Sequence, residues 1–242
     1  MKKIIIISVI LLFSATGLRA QEKNQTNIPM LGDDAPSFTA ESSTGVLTFP
    51  SEYYFKWKIL FSHPADFTPV CTSEILELAA VQKEFEKLDT KIVVVSADKL
   101  ENHLEWKKNI ETIRYKDRDP VKIDFPLVSD TNLMIAREYG MIHPNSSSTK
   151  DVRGVFIIDP KNKIRAIFFY PMNIGRNLGE IERTLVALQI ADKQQVLIPA
   201  NWMPGGDVLM KLQTTSECQT ISADDSVYYQ PTWYMVFKRE NK

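Results

Sequence analysis

The run Lys91-Ile-Val-Val-Val-Ser96 is β-branched and carries no polar side chain across its four central positions, the composition of a strand covered on both faces. Such a strand lies inside a sheet with layers above and below it, and the rest of the chain has to supply those layers. Lys58 to Ser62 reads as a second buried strand. Thr72 to about Leu88 reads as a helix in which Ile75, Leu78, Ala79, Phe85 and Leu88 fall near helical spacing, with glutamates and lysines opposite. Leu100 to Ile110 reads as a further helix with Leu104 and Trp106 near its apolar side, Phe125 to Val128 as a short strand, and Asn132 to Tyr139 as a helix stopped by Gly140. Val155 to Asp159 and Ile164 to Phe169 flank a Pro160-Lys-Asn162 turn and read as a hairpin, and Leu178 to Ile190 as the last core helix. Pro36 to Phe49 reads as extended segments around a turn at Ser43-Thr-Gly45. Strands that alternate with helices and close on a hairpin predict an α/β fold with a mixed central sheet flanked by helices.

The two ends of the chain have a different character. Lys2 and Lys3 precede an apolar run from Ile4 to Phe13, and small residues are frequent from there to Ala20. Residues 1–20 therefore read as a secretory signal, since the run is shorter than the roughly 20 apolar residues of a membrane span; an uncleaved anchor is the alternative. Export to a periplasm or to the exterior of a bacterial cell follows as an expectation. Without that segment, 26 of the 29 basic groups remain against 30 acidic ones, a balance that calls for no nucleic acid. From about Ala191, Pro199, Pro204, Gly205, Gly206 and Pro231 punctuate the chain and helical periodicity disappears. This C-terminal extension, 191–242, is separate from a core domain at 28–190. Its aromatics Trp202, Tyr228, Tyr229, Trp233, Tyr234 and Phe237 need cover, either from their own core or from a second copy of the chain.

Only two cysteines are present, Cys71 and Cys218, too few for a disulfide scaffold. His63, His103 and His143 are scattered and no Cys/His spacing suggests zinc, so neither a metal nor a cofactor is expected. Cys71 sits in His63-Pro-Ala-Asp-Phe-Thr-Pro-Val-Cys-Thr-Ser-Glu74, where an apolar strand meets an amphipathic helix. Helix N-termini carry unpaired N–H groups and about half a positive charge, which favours a thiolate in the first turn. A lone cysteine after an apolar strand is otherwise most often a small buried hydrophobe.

Phe61 to Glu74, Arg153 in Val152-Arg-Gly-Val-Phe-Ile-Ile-Asp159, Arg176 in Asn173-Ile-Gly-Arg-Asn177, and Pro199-Ala-Asn-Trp-Met-Pro-Gly-Gly-Asp207 together resemble the one-cysteine subfamily of peroxiredoxins, over about Pro29 to beyond Asp207. The resemblance implies a thioredoxin-like fold and thiol-dependent reduction of hydrogen peroxide and small organic hydroperoxides. It also implies dimers or larger homo-oligomers in which the C-terminal extension reaches across to its partner. Cys71 is then the nucleophile that becomes a sulfenic acid. Arg153, always charged, would stabilise thiolate and peroxide oxygens, and Thr68 would accept from the peroxide O–H and orient the bond. Pro64 would cover the pocket. Glu74, one helical turn from Cys71, would hold an arginine in place, although a first-turn glutamate also serves the helix dipole. Arg176 takes a supporting role through the resemblance alone. His63 either hydrogen-bonds near the pocket or is a structural histidine.

Members with a resolving cysteine carry it in a Val-Cys-Pro context, whereas Gln195 to Asn201 here contains none. Cys218 is a candidate resolving thiol or a surface cysteine, in a polar stretch without an adjacent basic residue. The expected reductant is an external thiol. Two other classes compete: a thiol–disulfide oxidoreductase, which usually needs a Cys-x-x-Cys pair that Thr68 and Glu74 deny to Cys71, and a non-enzymatic thioredoxin-like chaperone.

Overall fold

The computed structural model describes residues 28–211 and 226–240. Residues 1–20 and Cys218 lie outside the described residues.

A seven-stranded sheet forms the centre. In chain order its strands are β1 (Phe38–Ser42), β2 (Gly45–Phe49), β3 (Trp57–Ser62), β4 (Thr90–Ser96), β5 (Leu127–Ser129), β6 (Arg153–Ile158) and β7 (Ile164–Tyr170). They are ordered β2-β1-β5-β4-β3-β6-β7. Strands β3, β4 and β5 are parallel neighbours, with Leu60 opposite Val93, and β6 and β7 add antiparallel on the β3 side. The parallel pairs enforce long crossovers, supplied by α1 (Pro69–Lys87) between β3 and β4 and by α2 (Leu100–Ile110) between β4 and β5. The short α3 (Met134–Glu138) precedes β6, and α4 (Leu178–Gln194) follows β7.

The strand pleat sends alternate residues to opposite faces. Ile59, Phe61, Val94, Val155 and Ile157 pack against Ile75, Leu78 and Phe85 of α1, Trp106 of α2 and Leu185 of α4. Leu60, Val93, Val95, Phe156 and Ile158 pack on the other side with Phe38, Phe49, Ile135 and Tyr139. This two-sided cover is why the β-branched runs show no polar alternation.

Several boundaries differ from the sequence expectation. Helix α1 starts three residues earlier than Thr72, because Thr68 takes the extended cap conformation and Pro69 the first helical position, where its missing N–H costs nothing. Leu133, with φ of 59°, holds α3 to five residues. Helix α4 continues past Ile190 to Gln194 and ends at a left-handed Gln195. Beyond it, β8 (Val196–Leu197), β9 (Val208–Met210), β10 (Tyr228–Thr232) and β11 (Met235–Lys238) form a small antiparallel sheet ordered β10-β11-β9-β8. There Trp202 is buried with its indole N–H on the Gly206 carbonyl at 2.8 Å, and Tyr229 stacks on Phe237 at 4.8 Å. Trp233 and Tyr234 stay 64% exposed at the β10–β11 turn.

Candidate active site

The site is built where β3 ends. The chain leaves Ser62 through a tight turn in which Phe67 adopts φ of 56°, a left-handed conformation that a bulky residue holds only under constraint. It then enters α1 at Pro69. Thr68, the N-cap, makes no side-chain cap bond; its hydroxyl donates instead to the Ala65 carbonyl at 2.9 Å, so its oxygen lone pairs face outward from that bond. Cys71 is the third residue of α1 and fully buried. Its sulfur therefore lies at the positive end of a 19-residue helix whose first turn Thr68 leaves uncapped.

Two arginines converge from the opposite side. Arg153 opens β6 and donates from Nη1 to Cys71 Sγ at 3.3 Å and to Glu74 Oε2 at 2.7 Å. Its remaining nitrogens are held by the Met172 carbonyl, with Nε at 2.9 Å and Nη2 on the same oxygen. Arg176 grips Glu74 through Nε on Oε1 at 2.8 Å and Nη2 on Oε2 at 2.7 Å, and its own backbone N–H adds a third bond to Oε1 at 2.8 Å. Its Nη1 donates to the carbonyls of Ser62 at 2.6 Å and Gly154 at 2.9 Å, and the guanidinium lies 3.3 Å from the centroid of the Phe61 ring. Cys71, Glu74, Arg153 and Arg176 are all nearly inaccessible to water. Burial pushes the Glu74 carboxyl up, but the bonds and charge of Arg176, joined by the charge of Arg153, outweigh it and hold the acid below the usual carboxylate range. A carboxylate shared by two guanidiniums leaves net positive charge facing the sulfur, fixed in place before any substrate arrives.

The remaining expected residues fall around this centre. Pro64 is buried in the turn between β3 and α1. His63 is fully buried, 5.1 Å from the Trp106 ring, and burial depresses its pKa to about 4 against the partly compensating charge of Asp66, so the imidazole is neutral at pH 7. Three participants were given no role from the sequence. Ser62 links the Val152 carbonyl to the Gly154 N–H through its hydroxyl. The Met172 carbonyl fixes Arg153, and Phe61 underlies Arg176. Two of these act through backbone oxygens, which no residue type marks. A cleft of about 370 Å³ opens beside the motif, lined in part by Phe67, Thr68, Thr72, Trp106 and Tyr115. A bigger one of about 780 Å³, beside Trp57, Arg165 and Asp192 at the other end of β3, touches none of the site residues and has no part in their chemistry.

Residues 31–167 match the AhpC/TSA family, and residues 187–218 match the C-terminal domain of 1-Cys peroxiredoxin. The chain belongs to the peroxiredoxins. A peroxiredoxin of Methanosarcina mazei is 43% identical over 218 residues, covering 89% of this chain and all of that relative. A solved structure of yeast mitochondrial 1-Cys peroxiredoxin superposes with a TM-score of 0.75 at 36% identity, covering 87% of this chain and 99% of that one. Peroxiredoxin 6 of Arenicola marina gives 0.76 at 29% identity, covering 88% and 99%. This peroxiredoxin is therefore a thiol-dependent peroxidase on a thioredoxin-like fold. The oxidoreductase and chaperone alternatives are not favoured.

Proposed function

We propose that Cys71 is the peroxidatic nucleophile and that Thr68 and Arg153 orient and polarise the peroxide, reducing hydrogen peroxide and small organic hydroperoxides. The observation that carries this reading is the 3.3 Å contact between Cys71 Sγ and an Arg153 guanidinium that Glu74 and Met172 hold rigid. The thiolate sulfur bonds to one peroxide oxygen, the O–O bond breaks, and its electron pair leaves on the other oxygen, which takes a proton and departs as water or alcohol. Arg153 faces the oxygens on which charge develops. Thr68, whose own proton is spent on Ala65, accepts from the peroxide O–H and points the bond at the sulfur. Glu74 and Arg176 position Arg153, and Pro64 limits water at the thiolate.

An external thiol returns the enzyme. It attacks the sulfenic sulfur and releases water, and a second thiol then displaces Cys71 from the mixed disulfide. The yeast mitochondrial relative is described as resolved through glutathione/thioredoxin systems, and we assign this chain a reductant of that kind. Function as a homodimer is supported by the exposed Trp233 and Tyr234 and by β7, an edge strand whose residues after Ile164 are only half-buried. Export to the bacterial envelope rests on the signal-like residues 1–20.

Stopped-flow mixing of the reduced protein, Cys71→Ser and Cys218→Ser with hydrogen peroxide, followed by intact mass, tests the reading. Fast oxidation lost only in Cys71→Ser, ending at a sulfenate or its higher oxides, is expected. A wild-type disulfide that Cys218→Ser cannot form would make Cys218 the resolving thiol, and an unaltered fast phase in Cys71→Ser would remove the assignment of the nucleophile.

A further inference from the structure

Beside the peroxide site lies a second group of polar side chains to which the steps above assign no role. His63, Asp66 and His103 are each buried, and one donor atom from each falls within 4.8 Å of the others. They come from three rigid pieces: the end of β3, the turn before α1, and α2. Thirty-seven positions separate Asp66 from His103, so no metal-ligand spacing appears in the sequence.

The hydrogen bonding in the cluster is incomplete in a telling way. His103 Nε2 lies 3.1 Å from the Val128 carbonyl and Nδ1 lies 2.8 Å from Asp66 Oδ2, so both ring nitrogens face oxygens that only accept. An imidazole with a single N–H serves one of them, and the other contact needs a cation, either a second proton or a metal ion. His63 adds to the demand: among the described residues both ring nitrogens lack a hydrogen-bond partner although the side chain is fully buried, and the nearby Asp66 Oδ1, 3.5 Å from His63 Nε2, also lacks one. Unpaired buried polar atoms are costly, and His63 Nε2 and Asp66 Oδ1 face each other beside the His103–Asp66 contact.

We propose that His63, Asp66 and His103 form a divalent transition-metal site, with zinc the ion it fits best. Two imidazoles and one carboxylate suit zinc over the hard, oxygen-seeking magnesium and calcium. Ligands bound at about 2.0–2.1 Å in tetrahedral geometry lie about 3.3 Å apart; Asp66 lies 2.8 Å from His103 through Oδ2 and 3.5 Å from His63 through Oδ1, and one donor atom from each of the three falls within 4.8 Å of the others. The Val128 carbonyl supplies the outer hydrogen bond that commonly fixes the tautomer of a ligating histidine. An ion held here ties α2 to the turn that carries Pro64 and Thr68.

The test is titration of the full-length, reduced, chelator-treated protein with Co²⁺ as a spectroscopic probe, competition with Zn²⁺, and calorimetry. One equivalent per chain, visible d–d bands of a four-coordinate cobalt ion displaced by zinc, and a Tm that rises with zinc concentration are expected. Cys71→Ser should keep the equivalent, whereas His103→Ala and Asp66→Asn should each weaken it by about 100-fold or more. Absence of saturable binding in the wild type would overturn the proposal. So would binding that disappears in Cys71→Ser, which would place the ion on the thiolate. Because the wild-type titration decides on its own, poor folding of a variant does not shield the proposal.

Discussion

Strand β3 buries a positive charge near each end, and the two ends treat it differently. At the Ser62 end, two guanidiniums share the Glu74 carboxylate and fill their remaining donors with backbone carbonyls. At the Trp57 end, Lys58 is just as inaccessible, but its Nζ reaches only the neutral Asp159 carbonyl at 2.9 Å and the Asn162 amide oxygen at 2.6 Å, while the Asp159 carboxylate accepts from Lys161, Lys163 and Arg165. Burial pulls Lys58 down to about 8 despite the opposing charge of Asp159. Equal burial thus gives a locked charge where a carboxylate bonds to it directly and a titratable one where the nearby carboxylate does not. The locked set adjoins the cysteine, where a fixed field is useful; the titratable lysine adjoins no chemistry.

The severest way to break the contrast is Glu74→Gln, which leaves two buried guanidiniums without their anion. A loss of about 3–5 kcal/mol in denaturant unfolding is expected, along with slowed oxidation of Cys71. In the wild type, the stability due to Glu74 is fully present above its ordinary value of 4.5 and is lost as pH falls through the lower folded-state value; acid unfolding of Glu74→Gln should lack that component. Arg153→Met should slow sulfenate formation by about 10²–10³-fold, the size of losing one preorganised donor at a developing charge, measured by rapid mixing with hydrogen peroxide. Thr68→Val should cost about 10–100-fold in the same assay, as for one hydrogen bond to a reacting group, with little change in Tm because Thr68 does not cap α1 through its side chain; Thr68→Ser should restore most of the rate.

Lys58→Met carries the smallest effect and sharpens the other end of the comparison. Between pH 8 and 10.5 the unfolded chain keeps a proton that folded Lys58 has released, so wild-type stability should rise through that window. The expected rise is about 1–2 kcal/mol by chemical denaturation at stepped pH, discounted from the full shift for the two acceptors that Nζ retains. The variant should show a flatter profile.

Much of this was legible beforehand because it is local. The strands at Lys58 and Lys91 and the helices following Cys71, Lys99 and Asn177 follow from periodicity, and the Pro64-x-x-x-Thr68-x-x-Cys71 spacing placed proline, threonine and cysteine on one strand-to-helix turn. The misjudged boundaries were set by single-residue conformations, such as the extended cap at Thr68 and the left-handed Leu133 and Gln195. The short strands after Gln195 escaped because two to five residues are too few to establish an alternation and they pair with partners far along the chain.

The sequence alone determined the α/β layering, a helix beginning within about a turn of Cys71, and the residue types around it, since hydrophobic period and turn chemistry act over a few residues. Only the tertiary structure decided that Arg153 and Arg176 share one carboxylate, that Met172 and Ser62 lend them carbonyls, and that His103 meets Asp66 beside His63. Those meetings depend on strand order and crossover, which bring positions tens of residues apart to one end of the sheet. There a low dielectric makes each charge depend on its partner.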